Sequence, residues 1–112
     1  MILLKRVYEP YSREDGYRIL VDRLWPRGVS KVKAHLDLWL KEIGPSDKLR
    51  KWFGHDVEKW GQFHEKYIDE LKNKKDLIAE IKSLENKHKK ITLLFGAKDI
   101  QHNQAVVLQQ VI

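Results

Sequence analysis

Apolar residues along this chain fall into short continuous runs and into helical stripes, and polar, Gly- or Pro-containing stretches separate them. ILLKRV (2–7) predicts a short buried strand, and Pro10 and Gly16 punctuate the polar turn EPYSREDG behind it. YRILVDR (17–23) predicts a second strand, in which Ile19, Leu20 and Val21 are continuous, as in a central strand covered on both faces. Two periods overlap in SKVKAHLDLWLKEIG: Val32, Leu36, Trp39 and Ile43 fit a helical face, whereas Leu36, Leu38 and Leu40 alternate as a strand would. The reading adopted is a helical turn near 30–34 and a strand over 36–41.

Pro45 and Ser46 open a short helix that Gly54 closes, and Asp56 is placed to cap the next. Trp60, Phe63, Tyr67 and Leu71 recur at helical spacing within 57–72, with Lys and Glu on the opposite face. NKKD (73–76) reads as a break. Leu77, Ile78, Ile81 and Leu84 mark a further helix that dissolves into ENKHKK. ITLLF (91–95) is the clearest buried strand, and from about His102 a last helix buries Ala105, Val106, Leu108 or Val111.

Strands separated by helices predict an α/β fold: one small domain over 1–112, with a mostly parallel sheet of three to four strands and helices on its faces. In such sheets ligands bind beyond the carboxyl ends of the strands. Two polar clusters, DRLWPRG and GAKDIQHN, directly follow the strands at 17–23 and 91–95, and parallel strands would bring them to one edge.

Composition narrows the chemistry. The 112 residues include no cysteine, which excludes disulfides, thiolate metal sites and cysteine nucleophiles. MILLKRVYEP meets charge after four residues, no apolar run approaches a bilayer span, and a cytoplasmic protein is the expectation. A net charge of +6 favours anionic partners. Five of the six arginines (Arg6, Arg13, Arg18, Arg23 and Arg27) lie in the first 27 residues, so anion chemistry is sought there.

In the first cluster Asp22 and Arg23 point to opposite sides if the pleat continues. Trp25 offers a stacking surface, Pro26 stiffens the turn, Gly28 permits close approach, and Arg27 can hold an anion. The alternative reading pairs Asp22 with an arginine and uses Trp25 to cover the sheet end. In the second cluster a helix N-terminus and Lys98 attract anions, His102 is a candidate acid or base, and Asn103 can orient a substrate. Asp99 serves equally as a helix cap. The pattern lacks the Gly-rich lysine signature of a P-loop. His64 and Glu65 begin like a zinc-protease HExxH, but Ile68 stands where the second histidine belongs, and the five histidines have no metal-ligand spacing. The sequence does not name a cofactor.

YRILVDRLWPRG, LDLWLKEIGPSDKLRKWFGHD, WGQFHEKYIDEL and LLFGAKDIQHNQAVVL together resemble the YeaO-like branch of the domain of unknown function 488 family, over nearly the whole chain. The resemblance implies a small α/β domain and no defined activity. Longer relatives look like strand, VDVR and a proline turn at the first cluster, and like Cys-Ala-Glu followed by Cys-His-Arg at the second. Asp22 and Arg23 match the first motif, and Gly96, Ala97 and Lys98 the second strand end. HNQ stands near the Cys-His-Arg position, so a thiol-dependent reaction is excluded.

Three functions follow as expectations. The first is binding of a small anionic, phosphate- or nucleotide-like ligand, with Arg23, Arg27 and Lys98 holding charge, Trp25 walling the pocket, and Asp22 or His102 moving protons if the protein is an enzyme. The second is nucleic-acid binding through Lys74, Lys75, Lys87, Lys89 and Lys90, without a recognised motif. The third is a protein-interaction domain that self-associates through the apolar VVLQQVI helix.

Overall fold

The computed structural model describes residues 1–112 and is an α/β fold around a four-stranded parallel sheet. The strands β1 (Ile2–Arg6), β2 (Tyr17–Leu20), β3 (Leu38–Trp39) and β4 (Ile91–Phe95) lie in the order β1-β4-β2-β3. β4 sits between β1 and β2, in register Ile2 with Ile91 on one side and Tyr17 with Ile91 on the other. Its five residues are all buried, which is why ITLLF carries no polar face.

Side-chain parity divides the sheet between two apolar clusters. Ile19, Val21, Ile91, Leu93 and Phe95 pack with α2 (Asp47–Phe53), α3 (Trp60–Leu71), α4 (Lys75–His88) and α5 (Gln104–Val111). Leu20, Leu94 and Val7 pack with Ala34 of the one-turn α1 (Lys31–Ala34) and with Trp25, Val29, Leu36 and Trp39. The helices therefore lie around the sheet unequally, with one face covered mainly by the loop that follows β2.

The elements differ from the sequence expectations chiefly at their ends. β2 stops at Leu20, although the Val21 amide still donates to Leu94 O at 3.0 Å, and Asp22 and Arg23 belong to the loop. Only two residues of 36–41 pair as a strand, because 41–43 form a 3₁₀ turn that brings the chain around. The 57–72 segment is a 3₁₀ turn at 57–59, capped by Asp56, that leads into α3. α4 continues through His88 because ENKHKK has no helix breaker. In α5, Ala105, Val107 and Leu108 are buried, whereas Val106 and Val111, also expected to face the core, are half-buried. No helix is long and apolar enough to cross a membrane.

The chain leaving β2 runs on towards β3, whereas the chain leaving β4 turns into α5, which packs against β1 and β4. These exits diverge from adjacent strands and open a crevice at the carboxyl edge of the sheet.

Candidate functional site

The crevice is a cleft of about 500 Å³. One wall is the post-β2 loop, Asp22 to Pro26; the opposite wall is Gly96, Ala97 and Lys98 with the start of α5. The end of α2 contributes Arg50, Lys51, Phe53, Gly54 and His55, and Phe63 and Pro45 complete the lining. Both polar clusters singled out in the sequence therefore meet here, brought together by the β2–β4 pairing.

Asp22 joins the two strand ends. Its Oδ2 accepts the Gly96 amide at 2.9 Å and its Oδ1 accepts from the Gln104 side chain. It makes no ion pair with an arginine. Burial pushes its carboxyl up to about 6, against the Gly96 and Gln104 hydrogen bonds and the nearby His55, which favour the carboxylate.

Both Asp22 and Arg23 line the cleft, because β2 ends before them and no pleat separates them, but Arg23 is tied to the backbone before α2. Its Nε donates to Pro45 O at 2.9 Å and its Nη2 to Gly44 O at 3.0 Å, with Glu42 3.8 Å away. The guanidinium thus secures the turn before α2. Trp25 donates from Nε1 to Val29 O at 2.7 Å and meets Trp39 edge-on, while Trp39 Nε1 donates to Asp22 O at 2.7 Å. Trp25 does cover the sheet end, and it lines the cleft as well.

At the second cluster Asn103 is buried and caps α5: its Oδ1 accepts from Val106 N at 3.2 Å and its Nδ2 donates to Asp99 O at 2.9 Å. Asp99 accepts the amides of Gln101 and His102, and these bonds, with the His102 ring, hold its carboxyl below the usual range. His102 has a partner, Asp99 Oδ2 at 2.8 Å from Nδ1, but its ring packs against Trp60 and it is not part of the cleft lining. Lys98 is exposed, lines the cleft and makes no ion pair.

Arg27 and Gly28 also lie outside the lining. Arg27 is exposed, with its carbonyl accepting from the Tyr8 hydroxyl at 2.8 Å, and Gly28 opens onto a separate groove. Four cleft residues were missed by the sequence reading: Arg50, Lys51, His55 and Gln104. The signal for Arg50 and Lys51 was the last turn of a helix closed by Gly54, for His55 its place just after that glycine, and for Gln104 its place one residue past the α5 cap. Arg50 Nε is buried with no hydrogen-bond partner. No group of three or more His, Asp or Glu side chains is placed to hold a metal ion.

The family model described as the inactive DUF488-N3 subclade matches residues 1–112. The uncharacterised protein YeaO of Escherichia coli is 49% identical over 107 residues, 96% of this chain and 92% of its own. The uncharacterised protein Mb3100c of Mycobacterium bovis is 33% identical over 111 residues, 99% of this chain and 92% of its own. No solved structure matches.

Proposed function

Given that this chain belongs to the inactive DUF488-N3 subclade, we propose that it is a ligand-binding domain that holds a small anionic, phosphate- or nucleotide-like molecule in the cleft without turning it over. The observation that carries this reading is charge. Arg50, Lys51 and Lys98 line one cleft, and the sole carboxylate among the lining residues, Asp22, already accepts from Gly96 and Gln104. Lys51 and Lys98 make no ion pair, and Arg50 has only an exposed contact with Asp47 at 3.4 Å. An oxyanion would also satisfy the buried Nε of Arg50, whose desolvation is otherwise uncompensated. Phe53, Phe63, Pro26 and Ala97 supply apolar lining for the body of a ligand larger than phosphate.

The family's description as inactive speaks against turnover, and the residues agree with that emphasis. Asp22, Arg23 and Asn103 have structural bonds that fix the cleft walls, and the Asp99–His102 pair lies to one side of it. Nucleic-acid binding is supported less well. Of the lysines it would use, Lys74 turns inward to donate to Gly44 O at 2.9 Å, and Lys90 approaches Glu14 at 3.5 Å.

Thermal denaturation in the presence of sulfate, phosphate, pyrophosphate and mononucleotides tests the reading. Saturation to about a hundred times the dissociation constant should add about 2.7 kcal/mol of stability. Lys51→Ala with Lys98→Ala should abolish most of the shift. No shift with any of these anions, or one that survives the double substitution, refutes the proposal.

A further inference from the structure

Gly28, at the end of DRLWPRG, lines a different cavity. A groove of about 520 Å³ runs between the segment after β1, Val7 to Tyr11, and the wall formed by Gly28, Val29, Val32, Lys33 and His35. It shares no lining residue with the anion cleft.

Three large apolar or aromatic side chains of this groove are left in water: Tyr8 at 45% exposure, Tyr11 at 46% and Val32 at 81%. A clustered apolar patch flanked by charge marks an interaction surface more often than a folding need. The walls are also held in advance. Lys5 Nζ donates to Pro10 O at 2.7 Å, Arg6 N donates to the Glu9 carboxylate at 3.0 Å, and the Tyr8 hydroxyl ties one wall to Arg27 O on the other. Trp25 fixes Val29 O, and Ser30 caps α1 by accepting from Lys33 N. A groove already shaped loses little entropy on binding.

Charge and ring geometry choose the occupant. Lys33 and its neighbours Lys31 and Arg27 make no ion pair and outnumber the one acidic lining residue, Glu9, which accepts from Arg6 N and keeps its charge, so the balance around the groove is positive. The Tyr11 ring is already stacked on His35, with centroids 4.1 Å apart, and has the Arg18 guanidinium 5.4 Å from its centroid. Tyr8 has Arg6 at 4.9 Å. These rings offer edges and hydroxyls beside aliphatic Val7, Val29 and Val32, which suits apolar side chains better than stacked bases. Gly28, at φ +79° with no atom within 4 Å of an added Cβ, leaves room for another backbone to approach.

We propose that this groove docks an extended segment of a partner protein in which acidic residues stand beside proline or aliphatic side chains. Tyrosine-walled grooves take such segments through a preformed extended backbone, with the apolar side chains seated on the rings and the acidic ones meeting Lys31 and Lys33.

Selection of a random dodecapeptide display library on the whole chain, followed by fluorescence anisotropy of the enriched peptides, tests this. Enriched peptides should place Asp or Glu within a few positions of Pro, Leu or Val. Val32→Glu and Lys33→Glu alter exposed α1 positions and should weaken binding at least about tenfold each, with circular dichroism unchanged. Failure to enrich any sequence, enrichment of basic peptides, or equal binding to both variants overturns the proposal. So does tighter binding of a labelled oligouridylate that the same substitutions abolish, which would make the groove a nucleic-acid site. Sulfate and mononucleotides, which report on the anion cleft, should neither compete with the peptide nor be affected by these two variants.

Discussion

Asp22 and Gly96 are fitted to one another at the mouth of the cleft: the carboxylate accepts the glycine amide at 2.9 Å, and a Cβ on Gly96 would stand 2.8 Å from the same oxygen. The missing side chain is what lets the end of β4 close onto the loop after β2. Gly96→Ala should therefore destabilise by about 1–3 kcal/mol, the usual cost of overpacking, read from urea denaturation. In an Asp22→Ala background the obstructing oxygen is gone, and the same substitution should cost measurably less. Equal costs in both backgrounds would show that the Asp22 contact is not the reason for glycine.

Asp22 itself opposes folding at neutral pH. Its folded pKa of about 6 lies above the ordinary 3.8, so the native state holds the proton more tightly than the unfolded chain. By linkage this group's contribution is most favourable below about pH 4 and is lost as pH rises through 6. Asp22→Asn keeps the shape, and the amide can still accept from Gly96 while Gln104 rotates to offer its oxygen. The variant should be more stable than the parent at pH 8 by on the order of 1–2 kcal/mol, with the advantage shrinking towards pH 4. Paired urea titrations at pH 4, 6 and 8 measure it; an advantage that grows on acidification would contradict the linkage.

What the sequence revealed, and what it concealed, follows from the range of the interactions. The runs YRIL and ITLLF disclosed a parallel α/β sheet because burial leaves a nearly unbroken apolar run, whereas ILLKRV, expected as a buried strand, is the half-buried edge strand β1. They could not disclose strand order, since nothing in an apolar run names its neighbour. The convergence of DRLWPRG and GAKDIQHN was legible from strand direction alone. The cluster of N-terminal arginines misled. Arg6 donates to Ala97 O, Arg18 to Ala34 O and His35 O, and Arg23 to Pro45 O and Gly44 O, so three of the five arginines serve as ties between segments. Carbonyls that a guanidinium reaches across the fold leave no pattern along the chain. The cations of the cleft come instead from the end of α2 and from Lys98.

Arg18 makes this structural use explicit. At 1% exposure it pairs with Asp15, donates to two backbone carbonyls, and lies beneath Tyr11. Asp15 is buried, which raises its pKa, yet its bonds to Lys5, the Ser12 amide and Arg18 outweigh that and hold the carboxyl below the ordinary value. Arg18→Met would leave that carboxylate with Lys5 as its remaining cation and strand two carbonyls. The expected loss is about 3–5 kcal/mol, seen as a lowered urea midpoint at pH 7. Lowering the pH should narrow the gap between variant and parent, because protonating Asp15 removes the ion pair from the parent. A loss below about 1 kcal/mol would mean that the pair is no stronger than a surface salt bridge.

The pH dependence of anion binding separates Asp22 from every other group of the cleft. A carboxylate among Arg50, Lys51 and Lys98 opposes an anion while it is ionised, and loses that opposition as its proton returns near pH 6. Sulfate is the suitable probe because its own charge is constant over this interval. Its affinity for the parent should rise as pH falls from 8 to 5, whereas Asp22→Asn should bind more tightly at pH 8 and show a flatter profile. All other titrating groups are common to both proteins, so the difference between the two profiles belongs to Asp22. One charge a few ångströms from the ligand, at the effective dielectric of a partly open cleft, corresponds to about a 3- to 10-fold change in affinity. Isothermal titration calorimetry of both proteins at pH 5, 6.5 and 8 gives the comparison. Parallel profiles would place the bound sulfate outside the reach of Asp22, and hence outside this cleft.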